Sequence, residues 1–313
     1  MNEPRIGLDL VDKSNARGAL DAAERATHAG VNMLWATTGA SAPDPMTYFA
    51  AAMQSSPNVS FGTAIVPTYP RHPLMLASQA MALEQISPGH IRLGIGPSHR
   101  PTIEGAYGIP MGKPLDHLRE YLTVLRSLLE TGQVEFSGDY FTVKGRINAP
   151  APMPIYISAL RKNAFRLAGE LADGAISWVS PLDYLRESAG PAMRQSAESA
   201  GRPAPRMIAH VPVVMTADRE KMLASARPRL QNYGRLPFYA GMFSDAGFPV
   251  GDNGAVSDDL LDHLVVWGDE SQVQRRLESA FEGQIDELLI TLFPSDDPSG
   301  EEERICRVIS AIA

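Results

Sequence analysis

FGTAIVPTYPRHPLMLASQAMALEQISPGHIRLGIG, Phe61–Gly96, holds one complete strand–helix–strand unit. A β-rich run, Val59–Val66, opens it and a second, His90–Gly96, closes it. Between them Pro73 stands where a first helical residue tolerates the loss of its N–H, and Leu74–Ile86 keeps helical spacing until SPGH stops it. IRLGIG is apolar on both faces, as is LLITLF near the other end of the chain. A strand that is apolar on both faces is covered on both faces, which is the condition of a parallel sheet wrapped by helices.

The same unit repeats outward from this stretch. Further runs lie at Arg5–Leu10, Val31–Thr37, Ile155–Ala159, Gly174–Val179, Met207–Met215 and Glu287–Phe293. Ser14 stands as a cap before a helix over Arg17–Ala29, with Gly30 as its stop. LDHLREYLTVLRSLLE puts Leu115, Leu118, Leu122, Leu125 and Leu129 on one stripe. NAFRLAGELADG, Ser180–Ala200 and Gly300–Ile312 read as helices after the fifth, sixth and eighth runs.

Eight strands in strict alternation with helices predict an α/β fold, a closed (β/α)8 TIM barrel forming a single domain over 1–313. The open, doubly wound alternative usually carries a glycine-rich first crossover, and VDKSNARG is not one. Two segments interrupt the alternation. Val134–Gly145 reads as a β-hairpin turning at Ser137–Gly138–Asp139. Between strands seven and eight, RPRLQNYGRLPFYAGMFSDAGFPVGDNGAV and helices near Ser257–Val265 and Glu270–Phe281 read as a helical insertion and lid.

Composition narrows the function. The 313 residues are 44% apolar and 20% charged, enough for a large core. Lys and Arg number 28 against 36 Asp and Glu, a net charge of −8 that disfavours nucleic-acid binding. No apolar run is long enough for a membrane span, and MNEPRIGLDL lacks the pattern of a secretory signal. The single cysteine, Cys306, excludes an internal disulfide and sits on an apolar helix stripe, so a cytoplasmic setting is expected. There is no GxxxxGK[ST], GxSxG or HExxH, and no metal site is expected.

Barrel enzymes place their sites at the C-terminal ends of the strands. Here those ends carry Asp9; Trp35, Thr37 and Thr38; IVPTYPRHP; GIGPSHRP; ISALRKN; and ISWVSP. They offer aromatics, hydroxyls, close-approach glycines and cations, with few carboxylates. That suits a planar cofactor with a phosphate tail better than a glycosidase carboxylate pair.

The Phe61–Gly96 stretch resembles the third-to-fourth strand signature of the bacterial luciferase-like flavin and deazaflavin oxidoreductases. EYLTVLRSLLETGQVEFSGDYFTV, PIYISALRKNAFRLAGELADGAISWVSP and VWGDESQVQRRLESAFEGQIDELLITLF resemble the segments that follow in that family, in order. Within it the chain looks closest to the branch using the deazaflavin coenzyme F420. The resemblance implies hydride transfer between the deazaflavin C5 and a small organic substrate. The alternatives are an FMN-dependent monooxygenase using O2 and a non-catalytic cofactor-binding relative. It also implies a homodimer paired near the second and third barrel units.

Residue by residue, the resemblance implies a non-prolyl cis peptide at Ala64–Ile65 behind the ring. It implies cofactor contacts from Gly96, Pro97 and Ser98, and a phosphate site at Ser158, Ala159, Leu160 and Arg161, with Ala159 to Arg161 N–H groups as donors. Trp178 and Val179 map to the sixth-strand end, and Trp35 and Thr37 are candidates beside them. Relatives that oxidise a sugar phosphate carry Asp-His after the second strand, where this chain reads ATTG. Their carboxylate proton donor after the fourth strand is His99 here, and in place of a lysine just after the sixth stand Pro181 or its neighbours. His99 is therefore the candidate acid or base, because imidazole titrates near neutrality, with Glu104 and Tyr69 as fallbacks.

Overall fold

The computed structural model describes residues 5–10 and 15–312. Its centre is a ring of parallel strands: β1 (Ile6–Asp9), β2 (Met33–Ala36), β3 (Ser60–Thr63), β4 (Ile91–Gly96), β5 (Ile155–Ser158), β6 (Gly174–Trp178), β7 (Arg206–Val214) and β8 (Glu287–Leu292). Each bonds to the next, and β8 returns to β1 through Ile6–Leu288, Gly7–Leu289 and Leu8–Ile290, so the sheet closes without an edge. The fold is the expected (β/α)8 barrel.

Alternate strand residues fill the barrel in layers. Met33, Trp35, Tyr156, Ile176, Ile208 and Leu289 form the interior cluster. Glycines on the neighbouring strands make room for the indole: a Cβ on Gly62 would lie 2.3 Å from Trp35 Cε3, and one on Gly7 2.8 Å from Cδ1. At the N-terminal end the wholly buried Glu287 pairs with Arg92 at 2.5 Å and Arg206 at 3.6 Å. A carboxylate is tolerated there because it is paired, although burial still pushes its pKa above the usual carboxylate range.

Several boundaries differ from the sequence reading. Asn15, whose side chain accepts from the Gly18 N–H at 2.8 Å, caps the first helix, Ala16–His28; Ser14 lies outside the described residues. Two barrel helices escaped the pattern. Pro45–Ser55 is capped by Asp44, and Arg219–Leu230 carries Pro228 inside it, which disguised the segment as a loop. The RPRLQ stretch is thus the end of a barrel helix. The roof proper is the short turn Tyr233–Arg235 and helix Pro237–Asp245. The helix after β6 is broken by a π turn at Leu185–Ala189, just before Pro191, which lacks the N–H a regular turn needs.

The hairpin pairs Gln133–Ser137 with Thr142–Arg146, so its turn spans 138–141 rather than Ser137–Gly138–Asp139. Glu120 sets that turn. Its carboxylate accepts the N–H groups of Asp139, Tyr140 and Phe141 at 2.8, 2.8 and 3.0 Å. These three bonds hold its pKa low against a desolvation that acts the other way.

Candidate active site

One step of two residues up each strand from the interior cluster leads to the C-terminal mouth. From Gly7 it reaches Asp9, from Gly62 Ala64, from Tyr156 Ser158, from Ile176 Trp178, from Ile208 His210 and from Leu289 Thr291. All six destinations line one cavity of about 1230 Å³. That exceeds the usual span for a single small ligand and leaves room for a cofactor and a substrate together.

The wall built by β2 to β5 is shaped by a break in strand pairing. Between Gly62–Arg92 and Val66–Ile95 the third strand advances four residues while β4 advances three, so it carries a one-residue bulge. The Ala64–Ile65 peptide in that bulge is cis, as expected. Both carbonyls are tied to the end of β2: Thr37 Oγ1 donates to Ala64 O at 2.7 Å, and the Thr38 N–H to Ile65 O at 3.3 Å. Ser98, on the loop after β4, holds a left-handed backbone at φ 60°. Pro97, Ser98 and His99 line the cavity beside it.

Helix Lys162–Leu171 begins at the mouth of β5 with extended Arg161 as its N-cap and no side-chain cap. Ser158, Ala159, Leu160 and Arg161 line the cavity, as expected. The donor set needs one correction. The Ala159 N–H is committed to Ile176 O at 3.0 Å by the β5–β6 pairing, so open N–H groups begin at Leu160. Arg161 is also engaged, its Nε meeting Asp245 Oδ2 of the roof helix at 3.0 Å.

The wall built by β6, β7, β8 and β1 is side chain. Trp178 leans over His210, with ring centres 4.2 Å apart, and is flanked by Tyr233 and Phe293. His210 Nε2 lies 2.6 Å from Thr291 Oγ1, which donates to Asp9 Oδ2 at 3.1 Å. All three residues are buried.

Several expected residues lie elsewhere. Trp35 has no exposed surface and fills the barrel below the cavity, in the space left by Gly7 and Gly62; it does not line the cavity. Gly96 lies behind the wall: a Cβ there would meet Ser158 Oγ at 2.1 Å, so its role is close strand approach. Val179 is buried off the cavity with φ 45°, its N–H on His210 O at 3.2 Å, and it turns the chain after Trp178.

Of the three acid/base candidates, only His99 lines the cavity. Burial lowers its pKa below the ordinary imidazole value. Glu104 is exposed, paired with Arg100, and accepts the Met111 N–H at 3.1 Å. Tyr69 stacks flat on His117 at 3.8 Å, behind the first wall; burial pushes its pKa up to about 12, which keeps it a neutral phenol. His210, Thr291 and Phe293 were missed as site residues. The signal was present in the period of two: His210 follows Ile208, and Thr291 follows Leu289, on one face of their strands.

The chain belongs to the luciferase-like monooxygenase family, whose model matches residues 3–287. It is 26% identical to an uncharacterised Mycobacterium tuberculosis protein, over 91% of this chain and 93% of the relative. It is 32% identical to the F420-dependent glucose-6-phosphate dehydrogenase of Nakamurella multipartita, over 62% of this chain and 60% of the relative. Among solved structures, an F420-dependent secondary alcohol dehydrogenase in complex with an F420-acetone adduct superposes with TM-score 0.81 at 21% identity, covering 100% of both chains. A type II Baeyer-Villiger monooxygenase from Pseudomonas putida with FMN superposes with TM-score 0.74 at 20% identity, covering 99% of this chain and 98% of that one. At these identities the two superpositions speak for the fold.

Proposed function

We propose that this oxidoreductase uses the deazaflavin coenzyme F420 and passes a hydride between the deazaflavin C5 and a small organic substrate. The observation that carries the reading is the cavity's asymmetry: the cis Ala64–Ile65 bulge, with Ala64, Ile65, Pro67 and Pro97 at the surface, faces a wall of acid/base and aromatic side chains. A planar ring fits the first wall, and a substrate fits between that ring and the second. The uncapped N-terminus of helix Lys162–Leu171 suits a phosphate group, with Leu160 to Asn163 around it. The F420-dependent relative at 32% identity supports this coenzyme. Its sugar-phosphate substrate is not carried over, since ATTG stands in place of the Asp-His pair. When bound, the coenzyme supplies the two-electron redox chemistry; the chain supplies orientation, a dry pocket and the proton.

The decisive measurement is binding by fluorescence with F420 and FMN in parallel. F420 binding at least tenfold tighter than FMN is the expected result. Tight FMN binding without F420 binding replaces this reading with the oxygen-using one. We also propose a homodimer, supported by Met75 and Ile86 exposed on the helix after β3, Pro73–Ile86. Light scattering at micromolar concentration, giving twice the chain mass, tests it. The lone buried Cys306 fits a reducing compartment such as the cytoplasm; among the described residues no helix is long and apolar enough to cross a membrane.

A further inference from the structure

The floor of the cavity holds three polar side chains from three consecutive strands of the ring: His210 on β7, Thr291 on β8 and Asp9 on β1. Their bonds have a direction. Thr291 Oγ1 donates its proton to Asp9 Oδ2, so toward His210 the same oxygen is an acceptor and His210 Nε2 is the donor. The chain Asp9–Thr291–His210 therefore fixes the imidazole with hydrogen on Nε2, which makes Nδ1 the accepting ring nitrogen. An imidazole oriented through a hydroxyl by a carboxylate is the logic of an acid/base group with a positioning partner. His99, by contrast, is held toward its neutral form by burial and has no such chain behind it among the described residues.

We propose that His210 is the residue that exchanges the proton with the substrate heteroatom, with Thr291 and Asp9 as its positioning residues. This rests on the hydride-transfer reading above. In the oxidative direction a substrate carbinol, H–C–O–H, breaks its C–H bond, and the hydride with both electrons goes to the coenzyme. The O–H bond breaks, its proton going to His210 Nδ1, and the C=O double bond forms. The substrate is oxidised, the coenzyme reduced, and the imidazolium gives its proton to water or, in reverse, back to the carbonyl oxygen. Trp178 against the imidazole, itself flanked by Tyr233 and Phe293, suits a substrate whose alcohol or carbonyl carbon carries apolar or aromatic groups.

The test has two arms. In the first, ¹⁵N NMR of the coenzyme-free full chain reads the His210 tautomer in wild type, Thr291→Val, Thr291→Ser and Asp9→Asn. Wild type and Thr291→Ser should show Nε2 protonated, and Thr291→Val and Asp9→Asn should lose that preference. An unchanged tautomer in Thr291→Val overturns the relay. In the second, the F420-loaded protein is given cyclohexanol and cyclohexanone, and single-turnover rates are read against pH. His210→Gln should slow transfer about a hundredfold and flatten the pH profile, with F420 binding within a few-fold of wild type. Thr291→Val should shift the profile, and Thr291→Ser should restore it. A wild-type rate and profile in His210→Gln overturns the proposal. Wild type that binds no F420 overturns the functional reading instead, and the NMR arm still decides the relay.

Discussion

The two walls of the cavity are made of different material. At the bulge after β3 the surface is Ala64, Ile65 and Pro67, and the hydrogen bonds around it close on the protein itself: Thr37 on Ala64 O, Thr38 on Ile65 O, and Thr63 Oγ1 with both the N–H and carbonyl of Gly94. From β6 round to β1 the surface is imidazole, indole, hydroxyl and carboxylate. Strands β3 and β7 stand on opposite sides of the ring, so the two surfaces face each other across the cavity. On the function proposed above, the first surface holds the coenzyme and the second moves the proton.

The comparison breaks most directly at Gly94. A Cβ there would lie 2.0 Å from Thr63 O and 2.8 Å from Ile176 Cδ1. The first contact is backbone, beside the bulge, and has no rotamer with which to retreat. Gly94→Ala should destabilise the protein by about 3 kcal/mol, the upper end for overpacking, and weaken coenzyme binding as the bulge shifts. Urea denaturation and coenzyme titration on the same sample check both. Wild-type stability would show the first wall to be plastic.

Next in size is the pH response behind that wall. His117 packs under Tyr69 and meets Thr68 Oγ1 at 3.2 Å; burial lowers its pKa to about 4, with Glu120 opposing in part. Its folded value lies below the unfolded 6.5, so the unfolded chain takes up the proton first as pH falls. The stabilisation is complete above pH 6.5 and is lost toward pH 4, amounting to about 3 kcal/mol across that window. His117→Gln should flatten this part of the stability–pH curve, as measured by denaturation at half-unit steps. An unchanged slope would assign the loss to other groups.

The barrel was readable from the chain because several strands are apolar on both faces and several helices carry a stop, such as Gly30 and SPGH. The site was readable only in part. The first wall was legible through the family resemblance, which maps GTAIVP to the bulge and GPSH to the loop after β4. The second was obscured by strand length. β7 runs nine residues, and its last part pairs outside the ring with the short strand Val266–Trp267. Its C-terminal end therefore overshoots the mouth, and the site residue sits mid-strand at His210, inside an apolar run where it reads as core. Trp35 misled in the opposite sense: an aromatic near a strand end looked like a ring stacker, while the glycines that seat it lie on other strands. Glu104 is near His99 in sequence and Tyr69 follows the third strand end, yet a helix and an aromatic stack turn them away from the cavity.

His99 sharpens the comparison because it stands on the first wall with a second-wall chemistry. Its ring lies 5.6 Å from that of Tyr239 in the roof, and burial keeps it toward the neutral form. Without a carboxylate–hydroxyl chain to fix its tautomer, this imidazole should contribute less than His210. His99→Ala should keep coenzyme affinity within a few-fold and lower turnover about tenfold, below the effect at His210. Steady-state kinetics of the two variants side by side check the order; the reverse order would move the proton group to the first wall.

The smallest effect is expected where the two walls are fastened together. Arg161 closes the first wall at the mouth of β5, and its partner Asp245 belongs to helix Pro237–Asp245, which roofs the second. The side chains are 53% and 34% exposed, so the pair contributes under about 1 kcal/mol to stability. Asp245→Asn should therefore leave the denaturation midpoint nearly unchanged. Its effect belongs to binding. A guanidinium no longer held by a carboxylate is available to an anionic group at the uncapped helix start beside it, and the roof loses one tether. The coenzyme should bind a few-fold more tightly at low ionic strength, with the gain shrinking as salt is raised past about 0.1 M, where the Debye length is about 10 Å. Fluorescence titration at two salt concentrations reads this directly. Weaker binding at both concentrations would mean that roof closure, rather than the cation, is what the pair contributes, and the first wall would then depend on the second to hold its ligand.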